Sequence, residues 1–151
     1  MEAEEIEVRW AAGDNDVQAA VAVREQVFCR EQGVPREEEL DGRDGEARHV
    51  VAVEPGASRV LGTLRLLIDG DTAKVGRVAV ECDWRRRGIA TRMLELALDG
   101  ARQRGCARAR LAAQLPAMRL YERAGFAVES DEFDDAGITH VWMGMRLYPG
   151  C

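Results

Sequence analysis

The fold turns on the stretch Val75-Gly76-Arg77-Val78-Ala79-Val80-Glu81-Cys82-Asp83-Trp84-Arg85-Arg86-Arg87-Gly88-Ile89-Ala90, continued by Thr91 to Leu98. Its opening is short, apolar at Val78 and Val80 and rich in β-branched residues, which predicts a strand. Its close sets Ile89, Met93, Leu94, Ala97 and Leu98 at helical spacing, which predicts a helix. Between the two, Arg85-x-x-Gly88-x-Ala90 removes bulk where the helix begins. First-turn amides have no partners inside the helix and carry the positive end of its dipole. Small residues there let a phosphate reach the bare N–H groups, and Arg85, Arg86 and Arg87 add formal charge. The stretch reads as a pyrophosphate cradle.

What is missing narrows the kind of cradle. A nucleotide P-loop needs Gly-x-x-x-x-Gly-Lys-Ser/Thr, and no such string occurs. The dinucleotide fingerprint needs a run of glycines where only Gly88 stands. A strand followed by Arg-x-x-Gly-x-Ala instead resembles the acyl-CoA signature of the GNAT N-acetyltransferase family.

Composition bounds the rest. A chain of 151 residues buries enough surface for one core, so a single domain over 1–151 is expected. Hydrophobic content of 46% beside 32% charged residues is ordinary globular material. No apolar run reaches a membrane span, and Met1-Glu2-Ala3-Glu4-Glu5 lacks a signal peptide's basic start. Cys29, Cys82, Cys106 and Cys151 lie far apart with no Cys-x-x-Cys, which gives no zinc signature and suits reduced thiols in a cytoplasm. A net charge of −6 argues against nucleic acid and leans toward cationic acceptors.

In chain order, Ile6, Val8 and Trp10 alternate with charged neighbours as a first strand. Asp14 or Asp16 caps a helix that carries Val17, Ala20, Val21, Val23, Arg24, Val27 and Phe28. Glu31 to Pro35 breaks it, and Arg36 to Gly45 reads as a loop or broken helix. Strands follow at His49–Val53 and Val60–Ile68, the latter turning at Asp69-Gly70-Asp71 into the strand that ends at Val80. Gly105 stops the central helix, Ala107–Ala112 is a strand, and Pro116 opens a helix through Arg123. Two strands close the chain, around Phe126–Ser130 and His140–Leu147. The alternation defines an α/β (α+β) layer structure. The GNAT resemblance implies the same: a mixed, mostly antiparallel central sheet flanked by helices.

The resemblance sharpens along the chain. Arg24-x-x-Val27-Phe28-x-x-Glu31-Gln32, Glu39-x-Asp41-x-x-Asp44 and Arg48-His49 look like the ElaA-like branch of that family. So do Gly76-Arg77-Val78, Ala113-Gln114, Tyr121-Glu122-x-x-Gly125-Phe126 and Gly137-Ile138-x-His140-x-x-Met143. The resemblance implies acetyl-CoA as cosubstrate and direct attack by a primary amine within a ternary complex. It implies that Val78, Ala79 and Val80 grip the pantetheine and polarise the thioester through backbone amides. It puts the pyrophosphate on the amides of Arg86, Arg87, Gly88, Ile89 and Ala90 with the arginine side chains helping, and Arg85, Thr91, Gln114 and Tyr121 complete the cofactor set.

Tyr121 stands at the position of the family's general acid, where a phenol can protonate a departing thiolate. The base is less legible. Some relatives carry a glutamate where Lys74 stands, and lysine fills that role only with a severely lowered pKa. Glu31, Glu39, Asp41, His49 and His140 are the candidates, with Glu31, Asp41 and His140 placed nearest the acceptor nitrogen. Histidine titrates near neutrality, which suits the task. Cys82 follows the cofactor strand, but Glu81 and Asp83 beside it disfavour a thiolate nucleophile. The acidic run Glu37 to Asp44 would line the acceptor cleft and concentrate a small cationic amine. A non-enzymatic alternative is an acetyl-CoA-binding sensor of the same fold. Whether the chain forms a homodimer is left open.

Overall fold

The structure, a computed structural model, describes residues 5–56 and 59–147. Cys151 lies outside these residues. The elements run β1 (Glu7–Trp10), α1 (Asp14–Arg24), α2 (Arg36–Glu39), β2 (Arg48–Glu54), β3 (Arg59–Asp69) and β4 (Thr72–Val80). Then come α3 (Ile89–Gln103), β5 (Arg108–Gln114), α4 (Met118–Ala124), β6 (Ala127–Val128), β7 (Phe133–Asp135) and β8 (Ile138–Arg146). One sheet carries them in the order β1-β2-β3-β4-β5-β8-β6, with β7 also on β8. Among the described residues only β4 and β5 pair in parallel. The expected mixed, mostly antiparallel sheet is present.

Helices cover the two faces unequally. On one face α3 buries Ile89, Met93, Leu94, Ala97, Leu98 and Ala101 against Val50, Ala52, Leu61, Leu64 and Leu111. On the other, α1 and the turn that continues it set Ala20, Val23 and Val27 on Val51, Val53, Val60 and Ala79. Strand β2, covered from both sides, is therefore buried without interruption from His49 to Val53. Strand β5 alternates instead: Ala109, Leu111 and Ala113 are buried, while Arg108, Arg110, Ala112 and Gln114 are partly exposed. Helix α1 packs on β2, β3 and β4, and this face of β5 lies beyond it.

Two irregularities shape the sheet's centre. The β3–β4 pairing passes from Thr63↔Ala79 to Arg65↔Gly76, so β4 carries one residue more than its partner. Arg77 absorbs the extra residue in a left-handed conformation, φ 52°. Beside this bulge β4 pairs with β5 only at Thr72↔Arg108, Ala73↔Ala109 and Lys74↔Arg110, and then the strands part.

Three elements differ from the sequence reading. Helix α1 continues as a π-helical turn, Glu25–Glu31, in which Gln32 N–H donates to Val27 O at 3.2 Å. The strand expected at Phe126–Ser130 is only Ala127–Val128, and β7 was not foreseen. Strand β7 turns into β8 through Ala136 (φ 53°) and Gly137 (φ 81°), a two-residue loop between the paired Asp135 and Ile138. Such turns usually announce themselves as Asn-Gly or Asp-Gly, and alanine at the first position hid this one. Asp134 compensates by accepting the Gly137 N–H at 3.2 Å. Among the described residues no helix is long and apolar enough to cross a membrane.

Candidate active site

Where β4 and β5 part, a cavity of about 210 Å³ opens. Val75, Gly76, Arg77 and Val78 line it from β4, and Leu111, Ala112 and Gln114 from β5. Tyr121 closes it from α4, while Asp135, Ala136, Ile138 and His140 enter from the β7–β8 hairpin. The π-turn and α2 supply Phe28, Gln32, Glu38 and Glu39. Of the expected site residues, Val78, Gln114, Tyr121 and His140 therefore meet in one place.

Tyr121 is buried and packs edge-on against Phe126, ring centroids 6.1 Å apart. Burial pushes its phenol up to about 12. A phenol so placed keeps its proton at any physiological pH and enters the cavity as a donor.

His140 is held as the opposite kind of group. Its Nδ1 lies 2.8 Å from the carbonyl of Ile138, and a carbonyl only accepts, so Nδ1 carries the proton. In the neutral ring Nε2 is then the basic atom. Phe133, its cross-strand partner, stacks on the imidazole at 5.8 Å, and Trp142 stacks on Phe133 at 5.7 Å. Lys74 sits 5.3 Å from the Trp142 ring. Burial, then Arg65, Arg43 and Arg77, lower the Lys74 ammonium. Gln114 and Gln32 exchange amide hydrogen bonds of 2.9 and 3.2 Å across the cavity.

The expected cradle residues surround the start of α3. Gly88 is the N-terminal flanking residue of α3, in a left-handed conformation (φ 79°), and no side chain caps the helix. A Cβ at Gly88 would meet nothing within 4 Å, so the space beside the start of α3 is open. Unpaired first-turn amides beside open space fit a pyrophosphate. The arginines are less free than expected. Arg85 donates to Val80 O at 2.7 Å and to Glu31 at 2.9 Å, clamping the end of β4 to the π-turn. Arg87 stacks on Trp84 at 4.9 Å. Arg86 has φ 64° and leads the chain into Gly88. Ala79 and Val80 bury their side chains.

Two expected residues stand apart from the cavity. Glu31 pairs with Arg85, and Asp41 is bound to Arg65, so neither lies among the cavity's lining residues. Hydrogen bonds from Arg65 hold the Asp41 carboxyl well below the usual carboxylate range, which makes it a poor base. Within the acidic run Glu39, Asp41 and Asp44 are neutralised, because they alternate with Arg24, Arg65 and Arg77. Arg24 donates to Glu39 at 2.5 Å and to Asp44 at 2.7 and 3.1 Å. Arg65 bridges Asp44 at 3.0 Å and Asp41 at 2.9 Å. Arg77 lies 3.5 Å from Asp41 and 3.4 Å from Glu39, which closes the ring. His49 also serves this loop, its Nε2–H donating to Asp44 O at 3.0 Å.

A splayed parallel strand pair, an uncapped helix start and a buried phenol are the features an acyl-CoA-dependent N-acyltransferase needs. The chain belongs to the Acetyltransferase (GNAT) family, whose model matches residues 15–126, and is an N-acetyltransferase using a coenzyme A-based donor. It is 32% identical over 134 residues to the uncharacterized N-acetyltransferase YjcF of Bacillus subtilis, covering 88% of this chain and 94% of that one. An acyl-CoA N-acyltransferase from Pseudomonas aeruginosa superposes with a TM-score of 0.81 at 26% identity, over 92% and 98% of the two chains. Escherichia coli ElaA shares the fold, with a TM-score of 0.80 at 21% identity over 92% and 98%.

Proposed function

We propose that the protein transfers the acetyl group of acetyl-CoA to a small, positively charged primary amine, with His140 as general base and Tyr121 as general acid. One observation carries the reading: Tyr121 and His140, a fixed donor and a basic nitrogen, line the same cavity at the parting of β4 and β5. The backbone amides of Ile89, Ala90 and Thr91 and the guanidinium of Arg86 would hold the pyrophosphate, and backbone groups of Val78 to Val80 the pantetheine. Bound acetyl-CoA supplies the activated thioester carbonyl.

The chemistry then follows from the side chains. His140 Nε2 takes a proton from the incoming ammonium, which frees the nitrogen lone pair to attack the carbonyl carbon. As the C–S bond breaks, the Tyr121 hydroxyl donates to the departing sulfur. A phenol at about 12 releases its proton late, and until then stabilises the developing charge as a hydrogen bond. Direct transfer needs no acylated residue.

The cationic acceptor rests on carboxylates other than the expected Glu31 and Asp41. Glu38 and Asp135 reach the cavity from opposite sides, and among the described residues neither has an ion-pair partner. They favour binding of a cation and disfavour its deprotonation, which is why a base is needed. The ElaA-like branch is the finer placement we favour, because its characteristic run contains Arg24, Glu39, Asp41 and Asp44.

The test is coenzyme A thiol release with acetyl-CoA and a panel of mono- and diamines, amino acids and aminoglycosides. Cationic amines should rank first, His140→Gln should lose most turnover, and Glu38→Gln with Asp135→Asn should raise KM for the best amine. A ranking indifferent to charge would overturn the acceptor class, and full turnover in His140→Gln would overturn the base.

A further inference from the structure

Three arginines and three carboxylates form a closed, charge-neutral ring, in the order Arg24, Glu39, Arg77, Asp41, Arg65, Asp44 and back to Arg24. The ring ties together the end of α1, α2 with the loop after it, β3 and β4. Two of its members, Glu39 and Arg77, line the cavity, whereas Arg24 is fully buried and does not. Arg77 is also the residue that forms the β4 bulge.

A non-glycine residue held at φ 52° is strained, so the surroundings must over-determine it. The surroundings are the ring. Besides its ion pairs, Arg77 donates through Nε and Nη2 to the Glu39 carbonyl at 3.3 and 3.0 Å, which pins the C-terminal end of α2 onto the bulge. Glu39 is fixed in turn by Arg24. A four-residue helix has little stability of its own, so α2 takes its place from these bonds.

Resting on the acceptor site proposed above, we infer that the ring is the device that holds the acceptor wall of the cavity. It fixes α2, with Glu38 and Glu39, against a donor side built from Val78 to Val80 of β4 and the start of α3, none of which belongs to the ring. Arg24 is then a positioning residue acting through Glu39 and Arg77. The donor cradle shares no residue with the ring, so the two halves of the site should respond differently when the ring is opened.

Arg77→Gly opens the ring while keeping the bulge, since glycine adopts positive φ without strain. Arg24→Gln opens it from the buried side, and Arg24→Lys restores the charge without the fork that spans Glu39 and Asp44. Hydrogen–deuterium exchange over residues 36–46 and calorimetric titration with coenzyme A need no acceptor, so they remain readable if the proposed amine is wrong. Steady-state thiol release with spermidine as probe adds the KM for amine.

In Arg77→Gly, exchange over 36–46 should rise by about ten-fold or more with coenzyme A affinity within about two-fold, and KM for spermidine should rise more than kcat falls. Arg24→Gln should follow it, with Arg24→Lys between Arg24→Gln and the parent. Unchanged exchange in Arg77→Gly would overturn the inference. So would a coenzyme A affinity that falls in step with the loss of protection, because the ring would then be a general scaffold. If Arg24→Gln does not fold, Arg77→Gly decides alone.

Discussion

Arg24 Nε donates to Glu39 Oε1 at 2.5 Å across fifteen residues of chain, and neither side chain reaches solvent. A pair so placed is costly to make and more costly to break, because removing one partner strands a buried charge.

Arg24→Met should therefore destabilise the protein by about 3–5 kcal/mol, since Glu39 and Asp44 both lose their donor. Urea unfolding followed by far-ultraviolet circular dichroism measures it. A loss under about 1 kcal/mol would mean that methionine packing offsets the broken pairs.

The ring also sets the acid limit of stability. Arg65 holds Asp41 well below the usual range, and at Asp44 the upward push of burial is outweighed by Arg24 and Arg65. Folded values lie below unfolded ones near 3.9, so the stabilisation is complete above about pH 5 and fades as pH falls below about 4. Asp41→Asn should be less stable at neutral pH and lose less on acidification. Denaturation at pH 7, 4 and 3 tests this, and parallel slopes for mutant and parent would refute it.

Gly88→Glu should abolish coenzyme A binding by placing charge and bulk on the first-turn amides of α3. Because Gly88 has φ 79°, any side chain there is also strained. Gly88→Gln carries the same strain and size without the charge, and so isolates the electrostatic part. Calorimetry should find binding weakened in Gly88→Gln and undetectable in Gly88→Glu; normal affinity in both would remove the phosphate from this helix end.

Tyr121→Phe should lower kcat by roughly 10²-fold with little change in coenzyme A affinity, since the ring still packs on Phe126 while the donor is gone. With the phenol pushed up to about 12, no alkaline limb from Tyr121 should appear below about pH 10 in the parent. Near-normal kcat in the mutant would make Tyr121 a packing residue.

How much of this was legible beforehand depends on how local each signal was. The order of strands and helices, the α3 cradle at Gly88 and the position of Tyr121 followed from periodicity, a six-residue motif and a resemblance. Helical spacing put Phe28 among the apolar positions that continue α1, and there it packs against the core under α1 while also lining the cavity, which spacing alone does not reveal. Strand β7 stayed hidden because its turn uses Ala136 where asparagine or aspartate would have signalled it.

By itself the sequence determined what each short segment prefers, because backbone propensity and side-chain period act over a few neighbours. Charge was the property it could not locate. The run Glu37 to Asp44 looks like an open acidic surface, and only the fold brings Arg24, Arg65 and Arg77 from three distant elements to cancel Glu39, Asp41 and Asp44. Coulombic partners are chosen by distance in space, and space is set by the packing of α1, α2, β3 and β4. The tertiary structure therefore moved the acidic loop from acceptor site to supporting ring, and left Glu38, Asp135 and His140 facing the cavity.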